Sequence, residues 1–167
     1  MAYELTQAGL KEAVKDILFR PNFPDNMLES SINGAQERIE RVLRIPLMEK
    51  TLRGVCAASG DSLDVPADFI EAKNIFVNSM TLERVSPEQL LQAPMGGTTS
   101  CFTRKGDEFL FRPSLKAGDF YEVWYYAKQP MMSDTVTSNV WVTDCWEVML
   151  FGTLTLAGEL IAEDRVT

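Results

Sequence analysis

The sequence predicts an α+β fold: an N-terminal helix pair and a long C-terminal helix forming a helical bundle, with an antiparallel β-rich insertion between them. Three observations predict it. Apolar residues recur at helical spacing over about residues 6–46, fall into strand-like runs between turn signals over about 50–130, and return to helical spacing over about 143–164. At 167 residues the chain is long enough to bury about 70% of the surface its unfolded form exposes. Residues 1–167 are therefore read as one domain, with no internal repeat and no linker long enough to split it.

In the first helix Leu10, Ala13, Val14, Ile17 and Leu18 share one face, and Thr6 is placed to cap it. Arg20-Pro21 ends it, because the residue before proline is pushed out of the α region. After Pro24-Asp25 a second helix aligns Leu28, Ile32, Ala35, Ile39 and Val42. Its other face carries Glu37, Arg38, Glu40, Arg41 and Arg44, and Pro46 follows its end.

Thr51–Ala58 and Ile70–Val77 read as strands joined by a turn-rich stretch through Gly60-Asp61 and Pro66, and Thr81–Val85 as a short further strand. Ser86-Pro87-Glu88-Gln89 has the form of a capping box and predicts a short helix through Leu91. Phe102–Arg104 and Glu108–Arg112 flank Lys105-Gly106-Asp107 as a hairpin. In the strand Phe120–Lys128, Tyr121, Val123 and Tyr125 alternate with Glu122 and Trp124, and aromatics on both faces predict a layer on each side. Asp144 and Glu147 suggest a capping box for the last helix. There Leu150, Leu154, Ala157 and Ile161, with Trp146, Met149, Phe151, Leu156 and Leu160, leave little polar circumference. Such a helix runs through a monomer's core or is partly covered by neighbouring subunits.

With no histidine, the chain can build neither a Ser-His-Asp nor a Cys-His dyad and offers no imidazole to a metal. Cys56, Cys101 and Cys145 are too widely spaced for a C-x-x-C element and read as buried thiols in a reducing compartment. Met1-Ala2-Tyr3-Glu4 lacks the form of a secretory signal. The most apolar stretch, Val148–Gly158, has 11 residues, where a membrane span needs about 20. Net charge is −8. Residues 131–167 hold Arg165 against Asp134, Asp144, Glu147, Glu159, Glu163 and Asp164, a local −5. No basic stripe of the kind that grips phosphates is present.

A paired-carboxylate hydrolase is the one enzyme class left easily open, through Asp61 with Asp64, Asp64 with Asp68, or Asp107 with Glu108. Each pair lies in a turn, where aspartate ordinarily bonds nearby backbone, and the spacing lacks the glycine and final glutamate of a calcium loop. Pro94–Ser100 lacks the lysine and following helix of a phosphate cradle and reads as a contact or surface loop. Phe109, Phe111, Phe120, Tyr121, Trp124, Tyr125 and Tyr126 read as sheet core, the rival being a stacking platform for a sugar or base. No catalytic, cofactor-binding or metal residue is assigned.

Two N-terminal helices, Val65-Pro66-Ala67-Asp68-Phe69 and Ser86-Pro87-Glu88-Gln89-Leu90 form the first half of a longer pattern. The hairpin Gly106–Pro113, the strand through Trp124-Tyr125-Tyr126, and Ser133-Asp134 with Ser138-Asn139 before the last helix complete it. In this order the elements resemble the head-to-tail adaptor (connector) proteins of short-tailed bacteriophages, over nearly the whole chain. The resemblance implies a structural virion protein, assembled in the host cytoplasm and placed at the head-to-tail junction. It would form a homo-oligomeric ring, usually of twelve copies, between the portal protein and the tail nozzle protein. DNA would pass through its channel without specific binding, and no enzyme activity, cofactor or membrane is implied. Within it Leu150 and Leu154 are expected in subunit packing, and Glu159, Glu163 and Asp164 along the channel. Glu163, Arg165 and Val166 are expected on the portal side, and Met95, Gly96, Gly97, Thr98 and Thr99 on the tail side. The chain ends soon after the helix, without the long C-terminal tail that some adaptors insert between portal subunits. Rival readings are another phage neck or tail-completion protein, or a monomeric aromatic-lined ligand-binding module.

Overall fold

The computed structural model describes residues 3–164. The chain divides into two compact units, one built from the residues up to Leu47 together with those from Gln129 onward, the other from Met48–Lys128.

The first unit is helical. Helix α1 (Gln7–Ile17) starts where the Thr6 hydroxyl accepts the Gly9 N–H at 3.2 Å. It stops three residues before Arg20, the predicted end, because Phe19 turns left-handed with φ 54°. The Phe19 N–H then reaches Asp16 O at 3.1 Å and the Arg20 N–H reaches Lys15 O at 3.0 Å, closing the helix in a Schellman arrangement. Glycine normally takes that position, since a side chain in the left-handed region costs roughly 1–2 kcal/mol. Helix α2 (Asp25–Val42) is tied to α1 by Lys11–Glu29 at 2.6 Å and Lys15–Asp25 at 2.7 Å.

Helix α5 (Trp146–Asp164) packs on both. Val14, Phe23, Leu28 and Ala157 form a buried cluster, with Leu18, Leu150, Leu154 and Ile161 packed against it. Gly152 lets α5 approach α2 closely: a Cβ there would stand 3.2 Å from that of Ala35. Ahead of α5 lies a one-turn helix the sequence did not announce, α4 (Val140–Thr143), capped by Asn139. Asp144 closes α4.

Two expectations for the helices are corrected. Ile17 and Val42, on the apolar stripes, are exposed because each is the last residue of its helix. Glu40, assigned to the solvated face of α2, is buried. Its Oε1 accepts the Gln36 side chain at 3.1 Å, the Gln129 N–H at 3.0 Å and the Trp141 indole N–H at 2.8 Å. Gln36 is buried beside it and donates to the Gln129 carbonyl, while its own oxygen takes the Asn139 amide at 2.8 Å. Satisfied donors are what make a buried carboxylate tolerable.

The second unit contains β1 (Glu49–Val55), β2 (Gly60–Asp64), β3 (Phe69–Val77), β4 (Met80–Thr81) and β5 (Glu83–Arg84). Helix α3 (Pro87–Gln92) and strands β6 (Cys101–Lys105), β7 (Glu108–Leu115) and β8 (Phe120–Ala127) follow. They form two four-stranded sheets, ordered β1-β8-β3-β4 and β2-β7-β6-β5. Ile75, Val77, Val123 and Tyr125 of one sheet and Phe102, Phe109, Phe111 and Leu115 of the other share a single apolar core. The capping box forms as predicted, with Ser86 and Gln89 bonding each other's backbone N–H.

Pairing is antiparallel except between β5 and β6, where Glu83 lies opposite Cys101. That pair is parallel because α3 and the following loop carry the chain back across the sheet, as parallel pairing requires. Strand β2 replaces the predicted turn. Its alternation is invisible because Leu63 alone is apolar among its five residues, and it pairs only with β7. The β3–β4 turn places Asn78 at φ 49° and Ser79 at φ 67°, the geometry that suits a two-residue hairpin.

Glu40→Leu would strand the Trp141 and Gln129 donors and is expected to lower stability by about 3 kcal/mol, whereas Glu40→Gln keeps an acceptor and should lose about 1 kcal/mol; urea unfolding distinguishes them. At Gly54 a Cβ would overlap the Tyr121 ring and hydroxyl. Gly54→Ala is expected to cost about 1–3 kcal/mol in the same assay.

Candidate functional site

Of the carboxylates that a hydrolase would need, Asp61 and Asp68 are each engaged in structural bonds, while Asp64 lies opposite Glu108 in the β2–β7 ladder. Asp61 accepts a hydrogen bond from Ser114, and Asp68 accepts from Lys50 Nζ at 2.6 Å and from the Tyr125 hydroxyl at 3.0 Å. The Asp68 carbonyl also takes the Lys128 N–H at 2.6 Å, so one residue binds the first strand of the β-rich unit to its last residue. Burial pushes the Asp68 carboxyl up, but bonds from Lys50 and Tyr125 and the Lys50 charge together hold it below its usual value. Burial first, and then the bond to Asp68, push the Tyr125 phenol up to about 12. Among the described residues no cluster of three metal-ligating side chains occurs.

All three cysteines are free thiols, but only Cys101 is buried; Cys56 and Cys145 are half-buried, which corrects the expectation for those two. Burial, with a smaller contribution from Asp119, raises the Cys56 thiol.

The remaining features are surfaces. On α5, Leu150 and Leu154 face the chain's own cluster, while Val148 is 44% and Phe151 63% exposed. Together with Thr155 and Glu159, spaced three or four residues apart, these make an outer stripe. Glu159 pairs with Arg38 at 3.3 Å, both side chains more than half exposed, a geometry of little energetic weight. Arg165 and Val166 lie outside the described residues, as do the side chains of Glu163 and Asp164. In the loop after α3, Met95, Gly96, Gly97 and Thr98 are exposed. Thr99 is buried and donates to the Ser114 carbonyl at 3.3 Å, so it is a fixed end of that loop and not part of its surface.

The aromatic set divides. Phe109, Phe111 and Tyr125 are core. Trp124 and Phe120 stand on the other face of β8, 38% and 41% exposed, so the layer predicted there is missing among the described residues. Trp124 packs on Phe76 with ring centroids 5.0 Å apart. Its indole donates to Glu122, which Arg53 holds at 2.9 Å. This arrangement lets an indole sit on an open sheet face because its polar edge is satisfied.

A family model described as SU10 adaptor protein matches residues 5–164. The chain belongs to the SU10 adaptor protein family. Both units fall within the match, so the adaptor comprises helices and sheets together. Membership makes it a phage adaptor, a component of the virion that acts by contact with other phage structural proteins, and it suggests a structural role over a catalytic one. None of the curated proteins matches the sequence. No helix among the adaptor's described residues is long and apolar enough to cross a membrane.

Sequence reasoning missed the exposed stripe at Val148 and Phe151, because a helix apolar nearly all round does not reveal which side its own chain covers. It also missed Phe19, whose left-handed backbone has no local signal beyond the nearby Pro21.

The Asp68–Tyr125 pair gives the adaptor a pH dependence at both ends. A phenol raised in the folded state stabilises below pH 10, and that contribution is lost as pH climbs from 10 towards 12, where the unfolded chain ionises first. A carboxyl held low stabilises above its usual value near 4, and that contribution is lost as pH falls through the folded value. Urea midpoints against pH should show a smaller alkaline loss in Tyr125→Phe and a smaller acid loss in Lys50→Met.

Proposed function

We propose that this phage adaptor assembles as a homo-oligomeric ring of twelve copies at the head-to-tail junction, joining the portal protein to the tail nozzle protein and continuing the DNA channel. The observation that carries this reading is the outer face of α5. A helix whose inner residues Leu150 and Leu154 already complete its own unit still presents Val148 and Phe151 to solvent. Such residues gain about 1.5–3 kcal/mol each when fully buried, and neighbouring copies are the surface a ring provides.

In this reading the helical unit packs subunit to subunit, with Leu150 and Leu154 bracing α5 from beneath. The β-rich unit is an insertion carried within one adaptor domain. Glu163, Arg165 and Val166 meet the portal, and the loop from Met95 to Thr98, anchored at Thr99, meets the tail. Glu159, Glu163 and Asp164 line the channel, where the −5 of residues 131–167 is multiplied by the copy number. Repulsion of phosphates lets DNA slide without sticking.

Sedimentation and negative-stain imaging of the purified protein, alone and mixed with portal rings, test the assembly. Rings formed alone or on portal support it; a monomer that ignores both portal and tail proteins overturns it. Phe151→Glu changes an exposed residue and should leave the urea midpoint within about 0.5 kcal/mol of wild type while abolishing the ring. An assembled ring imaged with Glu159 turned away from the lumen would remove that residue from the channel.

A further inference from the structure

Phe19 carries the most exposed of the large apolar side chains among the described residues, 91% open to solvent, on a left-handed backbone at φ 54°. Glycine or asparagine would close α1 there with less strain, so the aromatic ring costs stability to the chain that bears it. A strained residue of this kind points to a use outside its own fold. The turn around it, Phe19-Arg20-Pro21-Asn22, is exposed throughout, and Arg20 pairs with no acidic side chain among the described residues.

The same unit carries the complement. Val148 and Phe151 lie on the outer face of α5, and Glu147 is exposed four residues before Phe151 and therefore beside it, with no cation of its own. No Lys or Arg occurs between residues 131 and 164, and Arg38 pairs with Glu159 at the far end of the stripe, so the end around Glu147 and Phe151 attracts a partner that is apolar and basic at once. Phe19 cannot use the α5 of its own chain. Leu18, immediately before it, packs into the cluster that Leu150 and Leu154 join, so that helix turns its inner face to this end of α1.

The geometry points to a contact between copies of this chain: Phe19 of one copy seats against Val148 and Phe151 of the next, and Arg20 pairs with its Glu147. Because the two patches differ, the contact is heterologous, and repetition of a heterologous contact closes into a ring when the rotation allows. The inference rests on the ring reading above and names the residues that would build it.

Phe19→Gly removes the ring and relieves the backbone, so the two expected effects have opposite signs. The monomer's Tm should rise by a few degrees, while assembly, read by sedimentation over a concentration series, should weaken at least tenfold. A residue with only a structural role would move both in one direction. Arg20→Glu and Glu147→Arg should each weaken assembly, and the double charge swap in one chain should recover most of the loss. If wild type forms rings and Phe19→Gly and Arg20→Glu form them equally well, or if the double swap is no better than the singles, this contact is overturned and the ring stands. If wild type forms no ring alone or with portal, both are overturned.

Discussion

The Glu40 carboxylate collects one donor from its own helix, the Gln36 amide one turn earlier, and two from chain far away in sequence, the Gln129 N–H and the Trp141 indole. The helical unit exists only because the chain, having left at Leu47, comes back at Gln129 and delivers α5 to α2. Between Gln129 and Asn139 no helix or strand guides it. Beside the buried side chain of Met132, a polar network fixes that return: Gln36 and Asn139 share a hydrogen bond, and both donate to the carbonyl of Pro130. A network of this sort has few alternative registers, because every donor that moves loses a buried partner. An apolar patch would hold the segment with similar strength and less definition.

Much of the architecture was legible in the residues, and the failures share a cause. The Thr6 cap, the Ser86–Gln89 box and the Lys105-Gly106-Asp107 hairpin follow rules that act over a few residues, and each is found in place. Glu40 looked like a surface glutamate because its burial depends on Gln129 and Trp141, about 90 and 100 residues away. Strand β2 looked like a turn because an edge strand with one apolar residue carries almost no alternation. The outer face of Trp124 looked covered because aromatic composition reveals apolar area, not what lies above it. Local chemistry could be read from the sequence; long-range pairing could not.

Helix α5 completes the core of its own unit and still carries apolar side chains on its outer face. Gly152 and Ala157 bring it close to α2 and α1, and its inner leucines complete the unit's core. Val148 and Phe151 are left on its outer face.

Strands β1 and β8 are antiparallel neighbours, and the chain enters the β-rich unit beside the point where it leaves, Glu49 lying opposite Tyr126. Tension applied through those two ends would open the pair like a zipper, loading one rung at a time instead of all of them in parallel. The first rungs to feel it lie next to Asp68, which holds Lys50 with its carboxylate and Lys128 with its carbonyl. The unit's resistance to being pulled apart is thus set first at its mouth, where Asp68 and the Glu49–Lys73 pair take the load before the eight-strand core behind them.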